Sequence, residues 1–329
     1  MIITKTPYRL SLFGGGTDYP AWFEKNPSKI ISAAMANYCW VHVKELPPFF
    51  DHTVRVTYSK TEHKSDASQI EHPAIRACLQ HMGLQKGISI GHDGDLPARS
   101  GIGSSSAFTV GLLHALYAYQ GRMISKENLA KEAIHVEQNV IGENVGIQDQ
   151  IMASYGGIRV IDMGPGNNWT SNSIVLSDSY MKELESHIML GFSGVSRHSE
   201  TQSKKKVDNI KNGNTDNYLK QMMQLTDEAH NSIMKCESMD ILGELFNKGW
   251  HIKRNLADGI SEDWIDNIYN KACQYGAYGG KLMGAGGGGF FMFLVPPEKQ
   301  NYLKEKLSEI KVWVPFKFDT QGSQIVLYS

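Results

Sequence analysis

LPARSGIGSSSA, residues 96–107, is the stretch on which the reading of this chain turns. Gly101 and Gly103 let the backbone approach an anion, and Ser104, Ser105 and Ser106 offer three hydroxyls in a row. The segment follows residues 88–92, which read as a strand, and opens residues 104–119, an apolar run that reads as a buried helix. The free amides and positive dipole end of that helix would face a bound phosphate, which an ordinary serine-capped turn does not require. A Walker loop needs a lysine and then a hydroxyl residue after its last glycine. Serines follow Gly103 instead, so a P-loop fold does not fit.

Two other glycine-rich segments flank this one. Arg9 lies in a run read as a strand, residues 8–13, which ends in Gly14, Gly15, Gly16, Thr17 and Asp18. Three glycines there suit close backbone approach. Asp18 can accept hydrogen bonds from sugar hydroxyls or close a local Asx turn, and the spacing does not choose between them. Farther on, Gly284, Gly286 and Gly289 match GxGxxG, but the loop enters an apolar strand, whereas a dinucleotide fingerprint opens a helix. It reads instead as a flexible phosphate-side or substrate-side loop preceded by Lys281, or as a structural tight turn.

Between the motifs stand two acids. Residues 125–141 read as a helix with Ser125 as N-cap, Gly142 past its end, and an apolar face of Leu129, Ala130, Ala133, Ile134 and Ile141. Glu137 falls on that face, where it is either a Mg²⁺ ligand or an edge glutamate reaching solvent. Asp149, in GENVGIQDQ, reads as a loop acid. One acid for a metal and one to take a proton from a hydroxyl are what phosphoryl transfer requires.

The rest of the chain bounds the answer. Its 329 residues, 41% apolar, can fill one large domain or two ordinary ones. Thirty-three basic residues nearly cancel 34 acidic ones, which excludes a global pull toward nucleic acid or an anionic membrane. Four scattered cysteines with no CxxC pair argue against a zinc site or disulfide framework and for a cytoplasmic location. No run is long enough to span a bilayer. Strands at 30–43, 53–58, 312–318 and 324–328 and helices at 72–82, 215–235, 239–256, 262–275 and 297–310 make an α+β protein. The loosely patterned residues 167–186 suggest two domains, 1–175 and 176–329.

Read jointly, PYRLSLFGGGTD (7–18), LPARSGIGSSSA and GGKLMGAGGGGFF (279–291) resemble the three motifs of the galactokinase, homoserine kinase, mevalonate kinase and phosphomevalonate kinase (GHMP) superfamily, in order and over nearly the whole chain. The resemblance implies an N-terminal domain like ribosomal protein S5 domain 2, a ferredoxin-like C-terminal domain and an ATP site between them. By motif, Gly101, Ile102, Gly103, Ser104, Ser105, Ser106 and Ala107 match the phosphate cradle, and Ser105 and Glu137 match the Mg²⁺ ligands. Asp149 matches the catalytic aspartate and Arg9 the arginine paired with it. Gly15, Gly16, Thr17 and Asp18, with Lys281, Gly286 and Gly287, fall to the substrate side.

Galactokinases carry Glu-His where this chain has Gly15 and Gly16, so galactose is not the expected acceptor. GGGTD, FSGVSR (192–197) and GAYGGKLMGAGGGGF, with Trp250 and Lys253, resemble the heptose 7-phosphate kinases. That implies phosphorylation of the anomeric hydroxyl of D-glycero-D-manno-heptose 7-phosphate. L-Fucose kinases share part of the pattern and are the alternative. A non-catalytic sugar or nucleotide sensor is the reading from another class, and the presence of both Glu137 and Asp149 speaks against it. The sugar's own phosphate needs positive charge: Arg197, at a helix start, is the first choice or else forms an ion pair, and Lys204, Lys205 and Lys206 form a second anchor or a solvated face. A homodimer is left open.

Overall fold

A computed structural model describes residues 1–195 and 199–329 of the protein, with the backbone alone for 199–202. β1 (Ile2–Phe13) runs through the first glycine loop into the one-turn helix α1 (Pro20–Phe23) and then β2 (Ser28–Glu45). β3 (Val54–Thr57), β4 (Thr61–Lys64), α2 (Pro73–His81), β5 (Ile88–Gly94) and α3 (Ser104–Tyr119) follow. α4 (Lys126–His135), α5 (Gln148–Tyr155), β6 (Ile158–Gly164) and β7 (Asn168–Ser173) come next. The second half contains α6 (Asp178–His187), β8 (Ile188–Phe192), α7 (Ser199–Lys211), α8 (Asp216–Met234), α9 (Met239–Lys253) and α10 (Asp263–Gln274). It ends with β9 (Gly279–Leu282), β10 (Phe290–Leu294), α11 (Pro297–Lys306), β11 (Val312–Val314) and β12 (Gln324–Tyr328).

β2 organises the larger sheet because its 18 residues are long enough for three partners. β1 lies along one edge, while β6 takes residues 28–33 and β5 takes residues 39–45 on the other. The eight strands follow β12-β1-β2-β5-β3-β4, with β6 and β7 branching from β2. α3 lies across β1 and β2 and is apolar on nearly every side because it is buried on nearly every side. Gly111 brings its backbone down onto the sheet: the Thr4 hydroxyl donates to Gly111 O at 2.9 Å, and a Cβ there would lie 2.8 Å from Thr6 Oγ1. The start of the helix is therefore fixed over the C-terminal half of β1. The smaller sheet is antiparallel, β11-β8-β10-β9, and the unbroken apolar run of β10 is its fully buried inner strand.

The structure corrects several expectations. β12 returns to pair with β1, and Phe318 bridges Met35, so the end of the chain belongs to the first sheet and not to a separate 176–329 domain. The loosely patterned 167–186 contains β7 and α6, and the helix expected over 125–141 changes to a wider π-helical turn at Val136–Ile141. No helix among the described residues is long and apolar enough to cross a membrane.

Candidate active site

The loop before α3 is shaped by backbone contacts. Gly101 and Gly103 both take positive φ, 86° and 73°. A Cβ on Gly101 would fall 2.7 Å from Met283 O, and one on Gly103 would crowd Arg9 Cγ at 3.1 Å and Asp149 Oδ2 at 3.2 Å. The third glycine segment is pressed against this loop. A Cβ on Gly284 would meet Gly101 Cα at 2.4 Å, one on Gly289 would meet Ser100 O at 2.3 Å, and Phe290 N donates to Ser100 O. This segment packs main chain against main chain on the loop before α3, as the tight-turn alternative expects. The Gly287 amide is engaged with Ile260 O, and a Cβ on Gly286 would fall 2.5 Å from Ile260 Cα.

Arg9 and Asp149 meet beside Gly103. Arg9 Nε and Nη2 donate to Asp149 Oδ1 and Oδ2 at 2.7 and 2.8 Å, while Nη1 donates to Gly101 O at 2.7 Å. Asp149 lies in the first turn of α5, not in a loop, where the helix dipole favours a carboxylate. Arg9 is buried but a quarter of the Asp149 side chain is exposed, so the carboxylate keeps an open edge with spare lone pairs. Such an acid, fixed by a two-point arginine contact, can accept a proton from a hydroxyl in one defined direction.

Glu137 sits on the π-helical turn and is fully buried, which removes the solvent-facing reading. Its Oε2 accepts from the Ser106 hydroxyl at 2.9 Å and from Gln150 Nε2, whereas Oε1 has no partner among the described residues. Burial pushes its pKa up to about 7, with the Glu143 charge adding to the effect and nearby hydrogen-bond donors opposing it. A buried carboxylate oxygen without a donor fits a hard cation. Ser105, expected beside Glu137, is exposed; Ser106 is the serine whose hydroxyl reaches this carboxylate.

The turn after β1 completes the site. Asp18 is buried, its Oδ1 accepts from Gly16 N at 3.2 Å, and a Cβ on Gly146 would fall 1.9 Å from Oδ2. The bond runs backward to Gly16, which is not an Asx turn. Burial first, and then the charge of Asp149, raises the Asp18 pKa. Thr17 is fully buried with both its amide and hydroxyl engaged by Gly14 O, so it closes the turn rather than facing a ligand. Gly15 packs on the Ser11 hydroxyl, and Gly16 lies on Leu219 and Leu256.

Three lysines gather behind this turn. Lys281 Nζ donates to Leu12 O at 2.9 Å and Lys253 Nζ to Leu282 O at 2.6 Å. Burial and then neighbouring cations lower the Lys281 pKa to about 7 and push that of Lys253 well down. Of the lysine run, Lys204 and Lys205 are exposed, and only Lys206 is buried, with its pKa brought down to about 8 by burial against the pull of Asp18. Arg197 lies outside the described residues. Gln150 was missed by sequence reading, Ser106 was read as part of the phosphate cradle rather than as a partner of Glu137, and Lys206 was read only as one of a three-lysine run. The signal for Lys206 was present, since Ser203, Val207 and Ile210 share its helical face.

Residues 69–157 match the GHMP kinases N terminal domain and residues 228–310 match GHMP kinases C terminal. The D-glycero-alpha-D-manno-heptose 7-phosphate kinase of Campylobacter jejuni is 28% identical, across 98% of this chain and 97% of its own. The bifunctional fucokinase/GDP-fucose pyrophosphorylase of Arabidopsis thaliana is 25% identical over 92% of this chain but only 31% of that protein. A D-glycero-D-manno-heptose 1-phosphate kinase from Bacteriodes thetaiotaomicron shares the fold over the whole of both chains, with a TM-score of 0.81 at 21% identity.

Proposed function

The chain belongs to the GHMP kinase family, an ATP-using family, and from that premise we propose that it phosphorylates the anomeric hydroxyl of D-glycero-D-manno-heptose 7-phosphate, giving the 1,7-bisphosphate for nucleotide-activated heptose. The observation that carries a transfer reaction is the two-point Arg9–Asp149 pair set against Gly103. In this reading Asp149 takes the proton of the acceptor hydroxyl while Arg9 fixes both carboxylate oxygens. The glycine-serine loop and the first amides of α3 hold the ATP phosphates. Glu137 would hold Mg²⁺, with Ser106 and Gln150 orienting its carboxylate. When bound, that ion neutralises charge on the transferring phosphates. Asp18 accepts from a sugar hydroxyl, and Arg197 anchors the substrate's own phosphate. The chain's four scattered cysteines suit a reducing cytoplasm.

Heptose 7-phosphate is preferred because that relative matches end to end. The fucokinase match over 92% of the chain makes L-fucose the second reading. Initial rates of ADP release with Mg²⁺ and ATP should be compared for heptose 7-phosphate, the free heptose, L-fucose and galactose. Heptose 7-phosphate should give the highest kcat/KM. A higher value for L-fucose would replace the acceptor but not the reaction.

A further inference from the structure

α7 buries one stripe, Ser203, Lys206, Val207 and Ile210, and exposes Lys204, Lys205 and Asp208 between them. Val207 and Ile210 pack in the core that contains Tyr19 and Trp22, and the Ser203 hydroxyl lies 3.4 Å from that of Tyr19. Lys206 is thereby seated beside the Asp18–Tyr19 turn. Burying an ammonium is costly unless something anionic meets it. Asp18 and Asp149 attract it, while Arg9, Lys253 and Lys281 repel it. The other cations have hydrogen-bond partners: Arg9 on Asp149 and Gly101 O, Lys281 on Leu12 O, Lys253 on Leu282 O. The Lys206 ammonium has no hydrogen-bond partner among the described residues. Arg9 and three buried lysines share two carboxylates, and burial with mutual repulsion disfavours the charged lysines, so an anion entering the cluster would favour their protonated forms.

The anion that must come within reach of Asp149 in every turnover is the phosphoryl group, because Asp149 serves the hydroxyl that the group joins. We propose that Lys206 is a further catalytic residue, its ammonium donating to the non-bridging oxygens of the phosphoryl group in transfer; this rests on the kinase reading above. The acceptor O–H gives its proton to Asp149, and the acceptor oxygen bonds to phosphorus. The bond to the β–γ bridging oxygen breaks, and ADP leaves with that electron pair. Lys206 changes no bond and stabilises the charge spread over the group.

Lys206→Met and Lys206→Arg test this with whichever acceptor the wild type turns over, so an error about the sugar leaves the test intact. The Met variant should lose about 10²- to 10³-fold in kcat, as loss of one preorganised donor does, with acceptor and ATP KM changed by less than about threefold. Wild-type kcat/KM should fall above about pH 8 as Lys206 loses its proton, and the Arg variant, which stays charged, should lack that fall. Melting temperature and ADP binding serve as controls for folding. Should turnover prove too slow to read, ADP with aluminium fluoride, a phosphoryl mimic, should bind the wild type at least about tenfold more tightly than the Met variant, while ADP alone binds both equally. A kcat within about threefold of wild type, equal aluminium fluoride binding, or a KM rise confined to phosphorylated acceptors would overturn the proposal, the last by making Lys206 an anchor for the acceptor's own phosphate.

Discussion

The loop before α3 holds its shape with backbone, whereas the turn after β1 and the helices behind it hold theirs with buried charge. On the phosphate side, Gly101, Gly284 and Gly289 interlock main chain against main chain, and no side chain could be added without displacing a carbonyl or Cα. On the proposed acceptor side, Asp18, Lys206, Lys253 and Lys281 are ionisable groups kept from water, each with its pKa shifted toward the neutral form. Asp149 and Arg9 touch both sides. A backbone-built surface should tolerate pH and fail on added volume. A charge-built one should tolerate small changes of volume and respond to pH and to loss of a single charge.

Asp149→Asn strikes the joint between the two and should have the largest effect, a fall in kcat of about 10²- to 10⁴-fold with ATP affinity kept. Stopped-time turnover and nucleotide titration check it, and near-normal turnover would remove Asp149 from the chemistry. Gly101→Ala should act on the phosphate side alone. The strained positive φ and the contact with Met283 O should cost about 1–3 kcal/mol of stability and raise the ATP KM more than the acceptor KM. Equal rises in both would blur the division.

Glu137→Gln should weaken Mg²⁺ activation, and pH should show why. With its pKa raised to about 7, the wild-type carboxyl is mostly protonated below that point, so Mg²⁺ affinity should strengthen as pH rises from 6 to 8. The same shift destabilises the metal-free fold increasingly between the normal carboxyl range and about pH 7, because the folded state then resists losing the proton. The Gln variant without metal should therefore melt higher than wild type at pH 8 and equally at pH 4. Thr17→Val should have the smallest effect, about 0.5–1.5 kcal/mol from one buried hydrogen bond, with kinetics nearly unchanged. A large kinetic effect would return Thr17 to the acceptor site.

The contrast also marks what could be read from sequence. The phosphate side is local: residues 96–107 run straight from β5 into α3, and α3 spans Ser104–Tyr119 as its apolar pattern requires. The acceptor side is assembled from β1, α5, α7, α9 and β9; the helical face shared with Ser203, Val207 and Ile210 turns Lys206 inward and Lys205 outward, but what that face meets is decided by tertiary packing. Glu137 was legible as an acid on an apolar face, either a ligand or an edge residue reaching solvent, but its burial, the π-helical turn that carries it and its contact with Ser106 were not, because a one-residue change of phase leaves little trace in apolar periodicity. Asp149 was legible as an acid and not as a helix residue, since α5 has only eight residues between two glycine turns. β12 was legible as a strand; its pairing with β1 is a contact across the full chain, which local pattern does not carry.

Phosphorus NMR of the product formed from ATP and heptose 7-phosphate tests the central claim most directly. A new phosphate resonance coupled to the single anomeric proton, growing in step with ADP, is the expected result. Inorganic phosphate alone, or a new phosphate coupled to any other sugar proton, would contradict transfer to the anomeric hydroxyl.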